Sequence, residues 1–374
     1  MHRFAAIVIF GALLVPTAIA SSPKSPLLQR ASTLTGLKVR RAVAIVREPA
    51  SRFEQDATRT LDQNYPPSLQ RLDDELYMGL GLLPAQKSIR SAIVASASAM
   101  RARYDPSSRK VRARRSPAPA RPELLRELAR ALVDQNFNLR RLKGLRARDR
   151  DAALAAVSVV DGIAAVASGA RVPPLHGPPL QRFLDVEQNA GLEFGRNLIE
   201  QLRYLGGRSA VATALRSFPR TTAQVVQVDK FLQHEPAVGI PLAAAAGDAQ
   251  LTASETFGEL DVLALLRAYD VTDADAVATG WSGGRIALYT GPNGSAVALV
   301  LRWQGDEEAA RWRASVAGYV GAAFPDATPR LCPAVTACWL DGTRELAVAD
   351  TGTTTVFTNG VNAELLAAII VSGK

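Results

Sequence analysis

The segment from Asp149 to Gly169 constrains the fold more than any other part of the chain. It is typical of a helix that begins after the cap residue Asp149 and ends at Ser168. Apolar residues lie nearly all round this helix, which indicates burial among other elements. They are Leu154, Val157, Val159, Val160, Ile163 and Val166. Asp161 lies among them, and burying a carboxylate is costly unless the carboxylate is paired.

A second helix is predicted just before this one, from Pro122 to about Leu142. Proline is tolerated in a first helical turn, and Gly144 follows the expected end. The connection is short, so the two helices are expected to pack antiparallel. An arginine of the first helix is then the expected partner of Asp161. Residues 180–232 also have a mainly helical pattern.

The pattern changes after about Thr252, where strands become frequent. The predicted strands lie at 286–289, 296–303, 336–340, 346–349 and 354–357, and helices at 306–323 and 363–371. The last three strands are expected to form a small antiparallel sheet. The fold class is therefore α+β, with a mainly helical domain followed by a small C-terminal α+β domain that contains an antiparallel sheet.

The expected organisation has four parts. A signal peptide covers residues 1–20, and a flexible Ser/Pro/Thr-rich lead-in covers 21–34. The helical domain covers 35–250, with an edge strand near 104–115, and the C-terminal domain covers 251–374.

The first twenty residues have the pattern of a secretory signal. A basic start, Met1-His2-Arg3, precedes an apolar run, and the small-residue pattern Ala18-Ile19-Ala20 follows. We expect cleavage after Ala20 and a secreted or extracytoplasmic protein. No later stretch reaches about 18 uninterrupted apolar residues, so no transmembrane segment is expected in the mature chain.

Cys332 and Cys338 are the two cysteines of the sequence. A cysteine pair that closes a short loop in an exported protein favours a disulfide over a metal site, because the compartment is oxidising.

The net charge of +9 comes from one segment. Residues 101–150 hold 16 lysines and arginines against five carboxylates. Such a segment can attract an anionic polymer, or it can be a solvated, arginine-rich surface. Few aromatic residues are interleaved with the charges, so no nucleic-acid partner is expected.

The first predicted helix carries the tract LRELARALVDQNFNL over residues 125–139. This tract resembles the zinc helix of secreted, gluzincin-like zinc metallopeptidases, whose pattern is roughly HELxHALQDQxFxL. Two histidines at i and i+4 in that helix bind one Zn²⁺, and the glutamate between them polarises water. The chain resembles a degenerate member, because Arg126 and Arg130 stand at the histidine positions.

Further segments extend this resemblance in the same order along most of the predicted mature chain. ARYDP at 102–106 is similar to GfYDP, and VVDGIA at 159–164 is similar to ALvEGdA. PRTTAQVVQVDKF at 219–231 resembles PxSTEQilHPekY. GEL at 258–260 and GWSGGR at 280–285 match GEL and GWgGDR.

The resemblance implies a role for each matching position. Glu127 occupies the position of the general base, and Asp161 replaces the glutamate that supplies the third metal ligand. Gln227 replaces a histidine, and Glu259 is a further position in the cleft. A guanidinium has no lone pair to give to Zn²⁺. It stays protonated at neutral pH, because its pKa is above about 12. We therefore expect no metal and no other cofactor, and a vestigial Glu127.

Two interpretations of the arginines remain open. One guanidinium, of Arg126 or Arg130, can fill the space of the lost metal and pair with Asp161, with Glu127 nearby. Alternatively, Arg126, Glu127 and Arg130 form a solvated face, because they lie opposite an apolar stripe. That stripe is Leu124, Leu125, Leu128 and Leu132.

Two further features carry no catalytic prediction. Residues 280–284 match G-x-S-x-G, but a helix is expected before Ser282 and a strand after it, which reverses the order of a nucleophile elbow. His176 and His234 are each close to a proline and far apart in sequence, so we expect structural or exposed histidines.

The expected function is a secreted, catalytically inactive pseudopeptidase that binds an extracellular ligand or protein of unknown identity, or serves as a scaffold. One alternative is a basic extracellular or wall-associated module that binds polyanions through residues 101–150. Another is a hydrolase with an unrecognised, metal-independent mechanism.

Overall fold

The computed structural model of the chain describes residues 18–21, 25–84 and 87–372. The predicted signal peptide lies mostly outside these residues. Strand β1 (Ala18–Ser21) includes residues on both sides of the predicted cleavage position after Ala20.

The N-terminal part combines helices with a four-stranded sheet. Its elements after β1 are α1 (Pro26–Thr35), β2 (Val43–Glu48), α2 (Ala50–Asn64), α3 (Pro67–Gly79), α4 (Ile89–Ala99), β3 (Ala102–Asp105) and β4 (Lys110–Arg114). The strand order is β1-β2-β4-β3, with β2 and β4 parallel and the other pairs antiparallel. The predicted edge strand near 104–115 is thus a pair of strands: β4 is an interior strand, because β3 folds back and takes the edge position.

The predicted flexible lead-in over 21–34 is wrong for residues 26–34, which form most of α1. Pro26 occupies the first turn, where its missing N–H costs nothing. Leu28 and Ala31 are fully buried against Leu125 and Leu128. Apolar spacing within a Ser/Pro/Thr-rich segment therefore determines its structure.

The middle of the chain is helical. It contains α5 (Arg121–Phe137), α6 (Arg150–Ser168), α7 (Pro179–Ala190), α8 (Arg196–Arg216), α9 (Ala223–Val226) and α10 (Val228–Leu232), with a π-helical segment, Gly191–Gly195, between α7 and α8. The α6 boundaries are confirmed: the Asp149 side chain accepts the Ala152 N–H, and Gly169 is left-handed. Helix α6 is long and apolar enough to cross a membrane, and most of it is buried inside the protein.

Helix α5 ends five residues earlier than predicted. Asn138 adopts a left-handed backbone with φ 56°, and a 3₁₀ helix, Leu139–Leu142, follows. The Asp134 side chain accepts the Leu139 N–H at 2.8 Å and so competes with continued helix. A local side-chain hydrogen bond therefore overrides the expected stop at Gly144.

The C-terminal part has one eight-stranded antiparallel sheet. Its strands are β5 (Ala245–Ala246), β6 (Ala249–Thr256), β7 (Trp281–Gly291), β8 (Gly294–Trp303), β9 (Thr328–Arg330), β10 (Ala337–Asp341), β11 (Arg344–Thr351) and β12 (Thr354–Gly360). The order is β5-β6-β7-β8-β12-β11-β10-β9. The last three predicted strands are thus not a separate small sheet, because β12 pairs with β8 along its whole length.

Four helices accompany this sheet: α11 (Glu259–Ala268), α12 (Ala274–Thr279), α13 (Asp306–Ala323) and α14 (Ala363–Ser372). The largest apolar core joins them to the helical part, since Phe183 of α7 and Leu263 of α11 belong to the same cluster. Tyr319 of α13 donates its hydroxyl to the Leu80 carbonyl at 2.8 Å. The boundary near residue 250 remains a prediction, and a shared core crosses it.

The predicted disulfide is confirmed. Cys332 and Cys338 are bonded, with a Cα–Cα distance of 6.2 Å, and close the loop between β9 and β10.

Candidate functional site

Helices α5 and α6 pack together and bring the two predicted partners into contact. The Arg130 Nε donates to Asp161 Oδ1, and its Nη2 donates to Asp161 Oδ2, both at 2.7 Å. These two parallel hydrogen bonds form a bidentate ion pair. The π-helical segment packs closely against Asp161, because a Cβ added at Gly191 would lie 2.2 Å from the Asp161 Cβ. The predicted pairing of an arginine with Asp161 is thus present, and the arginine is Arg130.

Glu127 is the second carboxylate bound by Arg130. The Arg130 Nη1 donates to Glu127 Oε1 at 2.8 Å, and the Arg126 Nε donates to the same oxygen at 3.3 Å. The other oxygen accepts the Tyr104 backbone N–H at 2.7 Å. Glu127 is 1% exposed. A solvated face is therefore the wrong interpretation of Glu127. The side chains of Arg126 and Arg130 are 29% and 22% exposed.

The electrostatics of this group, which we call the arginine–carboxylate cluster (Arg126, Glu127, Arg130 and Asp161), favour a permanently charged Arg130. Burial alone lowers the Arg130 pKa, but the carboxylates of Asp161 and Glu127 outweigh it and raise the pKa well above its ordinary value. Both Glu127 oxygens already accept hydrogen bonds. Both carboxylates of the cluster are thus paired with the Arg130 guanidinium.

Tyr104 connects this cluster to the far end of α5. Its hydroxyl donates to Asp134 Oδ2 at 2.7 Å, and Arg41 lies 3.7 Å from the same oxygen. Burial, together with the hydrogen bond to Asp134, raises the Tyr104 pKa above its ordinary value. Asp134 lies in the 125–139 tract that resembles the zinc helix. Nothing in the sequence indicated its partners, because Tyr104 and Arg41 are distant along the chain.

Gln227 and Glu259 meet in a second group. The Gln227 Nε2 donates to Glu259 Oε2 at 2.6 Å, and Lys230 Nζ lies 3.4 Å from that oxygen. Burial raises the Glu259 pKa to about 8, although Lys230 and Gln227 lower it. Glu259 Oε1 is buried and has no hydrogen-bond partner among the residues that the structure describes.

The two groups are separate in their bonding. Gln227 also donates to the Thr279 carbonyl at 2.9 Å, and Lys230 donates to the Trp281 carbonyl at 2.8 Å. Within the described ranges no hydrogen bond or ion pair joins Gln227 or Glu259 to Arg130 or Asp161. The sequence comparison placed all of these residues in one cleft, whereas their contacts define two clusters.

A third buried network was missed by sequence reasoning. Arg150 binds Asp261 and Glu187, and donates to the Tyr77 hydroxyl at 3.0 Å. Next to Arg150, Asp151 accepts from Thr222. Burial, with the nearby Asp261 carboxylate, raises the Asp151 pKa to about 7. Charged residues near the start of a mainly apolar helix were the available signal.

The G-x-S-x-G segment has the arrangement that sequence reasoning expected. Helix α12 precedes Gly280 and strand β7 follows it, so the chain passes from a helix into a strand and Ser282 lies in that strand. This is the reverse of a nucleophile elbow. His234 packs edge-on against Phe231, with ring centroids 6.3 Å apart.

Comparisons with known proteins concern the C-terminal part. A family model described as a domain of unknown function (DUF8575) matches residues 249–370. No curated protein and no solved structure matches the chain. The matched range includes Glu259 and the eight-stranded sheet except β5, and it excludes the arginine–carboxylate cluster.

One group of potential metal ligands occurs in the described part of the chain. It consists of Cys332, Cys338 and Glu364. The two sulfur atoms are bonded to each other, so they are not available as thiolate ligands.

Proposed function

We propose that this chain is a secreted, metallopeptidase-like protein that has lost catalysis and acts as a binding or scaffold protein. The observation that carries the proposal is Arg130, whose guanidinium binds Asp161 and Glu127 at once. These two carboxylates stand at the positions that the resemblance assigns to a metal ligand and a general base. The disulfide is compatible with export, because such bonds persist in oxidising compartments.

Charge balance supports this interpretation. A divalent ion between two carboxylates can be replaced by two monovalent guanidinium groups without leaving a buried charge unpaired. Arg130 makes the directed hydrogen bonds, and Arg126 adds a weaker contact with Glu127. A guanidinium has no lone pair, so the replacement removes Lewis-acid chemistry from the cluster.

Two measurements test the proposal. The mature protein is purified, incubated with zinc and dialysed to remove unbound metal. It is then tested for bound zinc and for cleavage of casein, a general protease substrate. We expect no stoichiometric zinc and no chelator-sensitive proteolysis. One zinc ion per chain together with such proteolysis would overturn the proposal.

A reversal variant tests the assigned positions directly. Arg126→His, Arg130→His and Asp161→Glu together restore the ligand set of the family pattern, so we expect this triple variant to bind zinc and to gain thermal stability when zinc is added. The matched control carries Arg126→Gln, Arg130→Gln and Asp161→Asn. A folded triple variant that binds no more zinc than the control would contradict the assignment.

The basic segment is less uniform than the alternative function requires. Many of its arginines form internal ion pairs; examples are Arg112 with Glu48, Arg114 with Glu54, Arg146 with Asp73 and Arg150 with Asp261. These charges are compensated within the protein. A polyanion function for residues 101–150 as a whole therefore has little support.

A further inference from the structure

A cavity of about 530 Å³ opens at the C-terminal end of α5. Five arginines line it, together with one carboxylate. They are Arg41, Arg109, Arg140, Arg141, Arg216 and Asp134. This volume lies in the range of small-ligand sites, which is roughly 300–1,000 Å³.

Four separate parts of the chain supply these arginines. Arg109 lies in the turn between β3 and β4, and Arg216 ends α8. Arg140 and Arg141 belong to the 3₁₀ helix after α5. Arg41 is held in place because Gln135 Oε1 accepts its backbone N–H at 3.1 Å. Their convergence is a property of the tertiary fold.

The guanidinium groups of Arg140 and Arg141 donate hydrogen bonds to backbone carbonyl groups at the cavity. The Arg140 Nη2 donates to the Ser107 carbonyl at 2.9 Å, and the Arg141 Nη1 donates to the Arg216 carbonyl at 2.6 Å. Arg141 also lies 4.3 Å from the centroid of the Phe218 ring. A carbonyl accepts a hydrogen bond without neutralising the guanidinium charge. Burial lowers the Arg141 pKa, and no nearby carboxylate offsets this shift.

Arg109 and Arg216 remain available. Both are exposed, and within the described ranges their side chains make no hydrogen bond or ion pair. The one carboxylate of the cavity, Asp134, accepts from Tyr104 and from the Leu139 N–H and lies 3.7 Å from Arg41, so it balances at most one of the five arginines. The cavity therefore has a large excess of positive charge and free donors at its mouth.

This arrangement differs from that of the arginines that have carboxylate partners. Arg146, for example, lies 2.9 Å from both Asp73 and Glu255. Uncompensated charges of one sign repel one another, and a preformed group of them is stabilised when an anion binds. Guanidinium groups match the geometry of phosphate oxygens through paired hydrogen bonds.

We propose that this arginine cavity binds a compact ligand that carries two or more linked phosphate groups. The spread of the five arginines over a cavity of this volume fits several phosphates better than one small anion. The ligand is either a free polyphosphate compound or the phosphate headgroup of a lipid, which share the same recognition chemistry. This inference rests on the cavity and does not depend on the loss of a metal.

The direct test is calorimetric titration of the full mature protein with inorganic tripolyphosphate, pyrophosphate, orthophosphate and sulfate. We expect the affinity to rise with the number of linked phosphates, and to fall as salt is added. The double variant Arg109→Ala and Arg216→Ala removes two exposed side chains and should fold normally. We expect it to weaken tripolyphosphate binding by about 10-fold or more, which corresponds to about 1.4 kcal/mol.

The matched control is Arg52→Ala with Arg344→Ala, two exposed arginines outside the cavity. It lowers the net charge by the same amount, so we expect less than a twofold change. Equal weakening by both double variants would show general charge attraction and would overturn the proposal, as would the absence of tripolyphosphate and vesicle binding. The two proposals are tested separately, because zinc binding by the Arg126→His, Arg130→His and Asp161→Glu variant does not affect the outcome of the tripolyphosphate titration.

Vesicles distinguish the two sources of phosphate. Co-sedimentation compares phosphatidylcholine vesicles with vesicles that also contain phosphatidylinositol phosphates. Binding to the second kind, lost in the Arg109→Ala and Arg216→Ala variant, would support the site with a headgroup as its ligand. Tripolyphosphate binding without vesicle binding would support it with a free polyphosphate. Vesicle binding that the variant retains, without any tripolyphosphate binding, would contradict the site.

Discussion

The middle of α5 and its C-terminal end use arginine in opposite ways. Near the middle of the helix, Arg130 binds the carboxylates of Asp161 and Glu127, so that charge is balanced inside the protein. Just beyond its C-terminal end, Arg140 and Arg141 bind backbone carbonyls, so that charge is held in place but not balanced. The difference separates an arginine whose charge is paired within the fold from one whose charge is left without a carboxylate partner.

The comparison also predicts different losses of stability when an arginine is removed at each place. A paired, partly buried arginine leaves an unpaired carboxylate when it is removed, which is destabilising. An exposed arginine among other arginines leaves nothing unpaired, and its removal relieves repulsion. Stability measurements at both ends therefore test the distinction.

The largest effect is expected at the arginine–carboxylate cluster. Asp161→Ala strands the Arg130 guanidinium, so we expect the free energy of unfolding to fall by about 2–4 kcal/mol, between the values for exposed and fully buried pairs. Chemical denaturation of Asp161→Ala, Arg130→Ala and the double variant forms a double-mutant cycle, with an expected coupling of at least about 1 kcal/mol. Arg126→Ala is the control, with a loss under about 1 kcal/mol. A coupling near zero would contradict the ion pair.

Glu259 extends the comparison to a buried carboxyl whose balance is incomplete. Its pKa is raised to about 8 in the folded protein, so the folded state binds more protons than the unfolded state between about pH 4.5 and 8. Its stabilising contribution is therefore full at low pH and is lost as pH rises toward 8. Each unit of difference corresponds to about 1.4 kcal/mol, so the total effect is on the order of a few kcal/mol.

The measurement is the unfolding free energy against pH for the wild type and Glu259→Gln. Glutamine cannot ionise, so we expect the wild type to lose more stability than the variant between pH 5 and 8. Burial also raises the pKa values of Asp151 and Glu187, which are present in both proteins, so the difference reports Glu259 together with its interaction with Asp151. Identical pH profiles would mean that Glu259 is ionised and paired with Lys230.

Arg141→Ala is expected to have an intermediate effect. The change removes hydrogen bonds to the Leu215 and Arg216 carbonyls and a contact over the Phe218 ring, worth together about 1–2 kcal/mol. Thermal unfolding gives the loss, with Arg140→Ala as a comparison. Arg141→Lys should recover part of the charge but little of the stability. Full recovery by lysine would indicate that charge alone matters at this position.

The smallest effect is expected for Arg109→Ala and Arg216→Ala. Neither side chain has a bonded partner in the described structure, so each change should alter the unfolding free energy by about 0.5 kcal/mol or less. Added salt should raise the stability of the wild type slightly more than that of the double variant, because it screens the repulsion. A loss above about 2 kcal/mol would place these residues in the same structural class as Arg130.

Local sequence patterns predicted most elements and one half of the site. The caps of α6 follow from Asp149 and Gly169, and helix α13 follows from its pattern over 306–323. The Asp161 partner could be predicted because a short connection forces α5 and α6 together and a buried carboxylate requires a cation. Patterns failed at α1, where composition suggested disorder, and at β4, whose position in the sheet depends on β3.

The sequence by itself therefore determined those features that depend on neighbouring residues: helix caps, strand alternation, the six-residue spacing of the disulfide, and the demand of Asp161 for a partner. Only the tertiary structure decided which charges stay unbalanced. Arg109, Arg140 and Arg216 are separated by tens of residues, and electrostatic energy depends on distance in space rather than along the chain. Their convergence at the end of α5 has no local signal in the sequence.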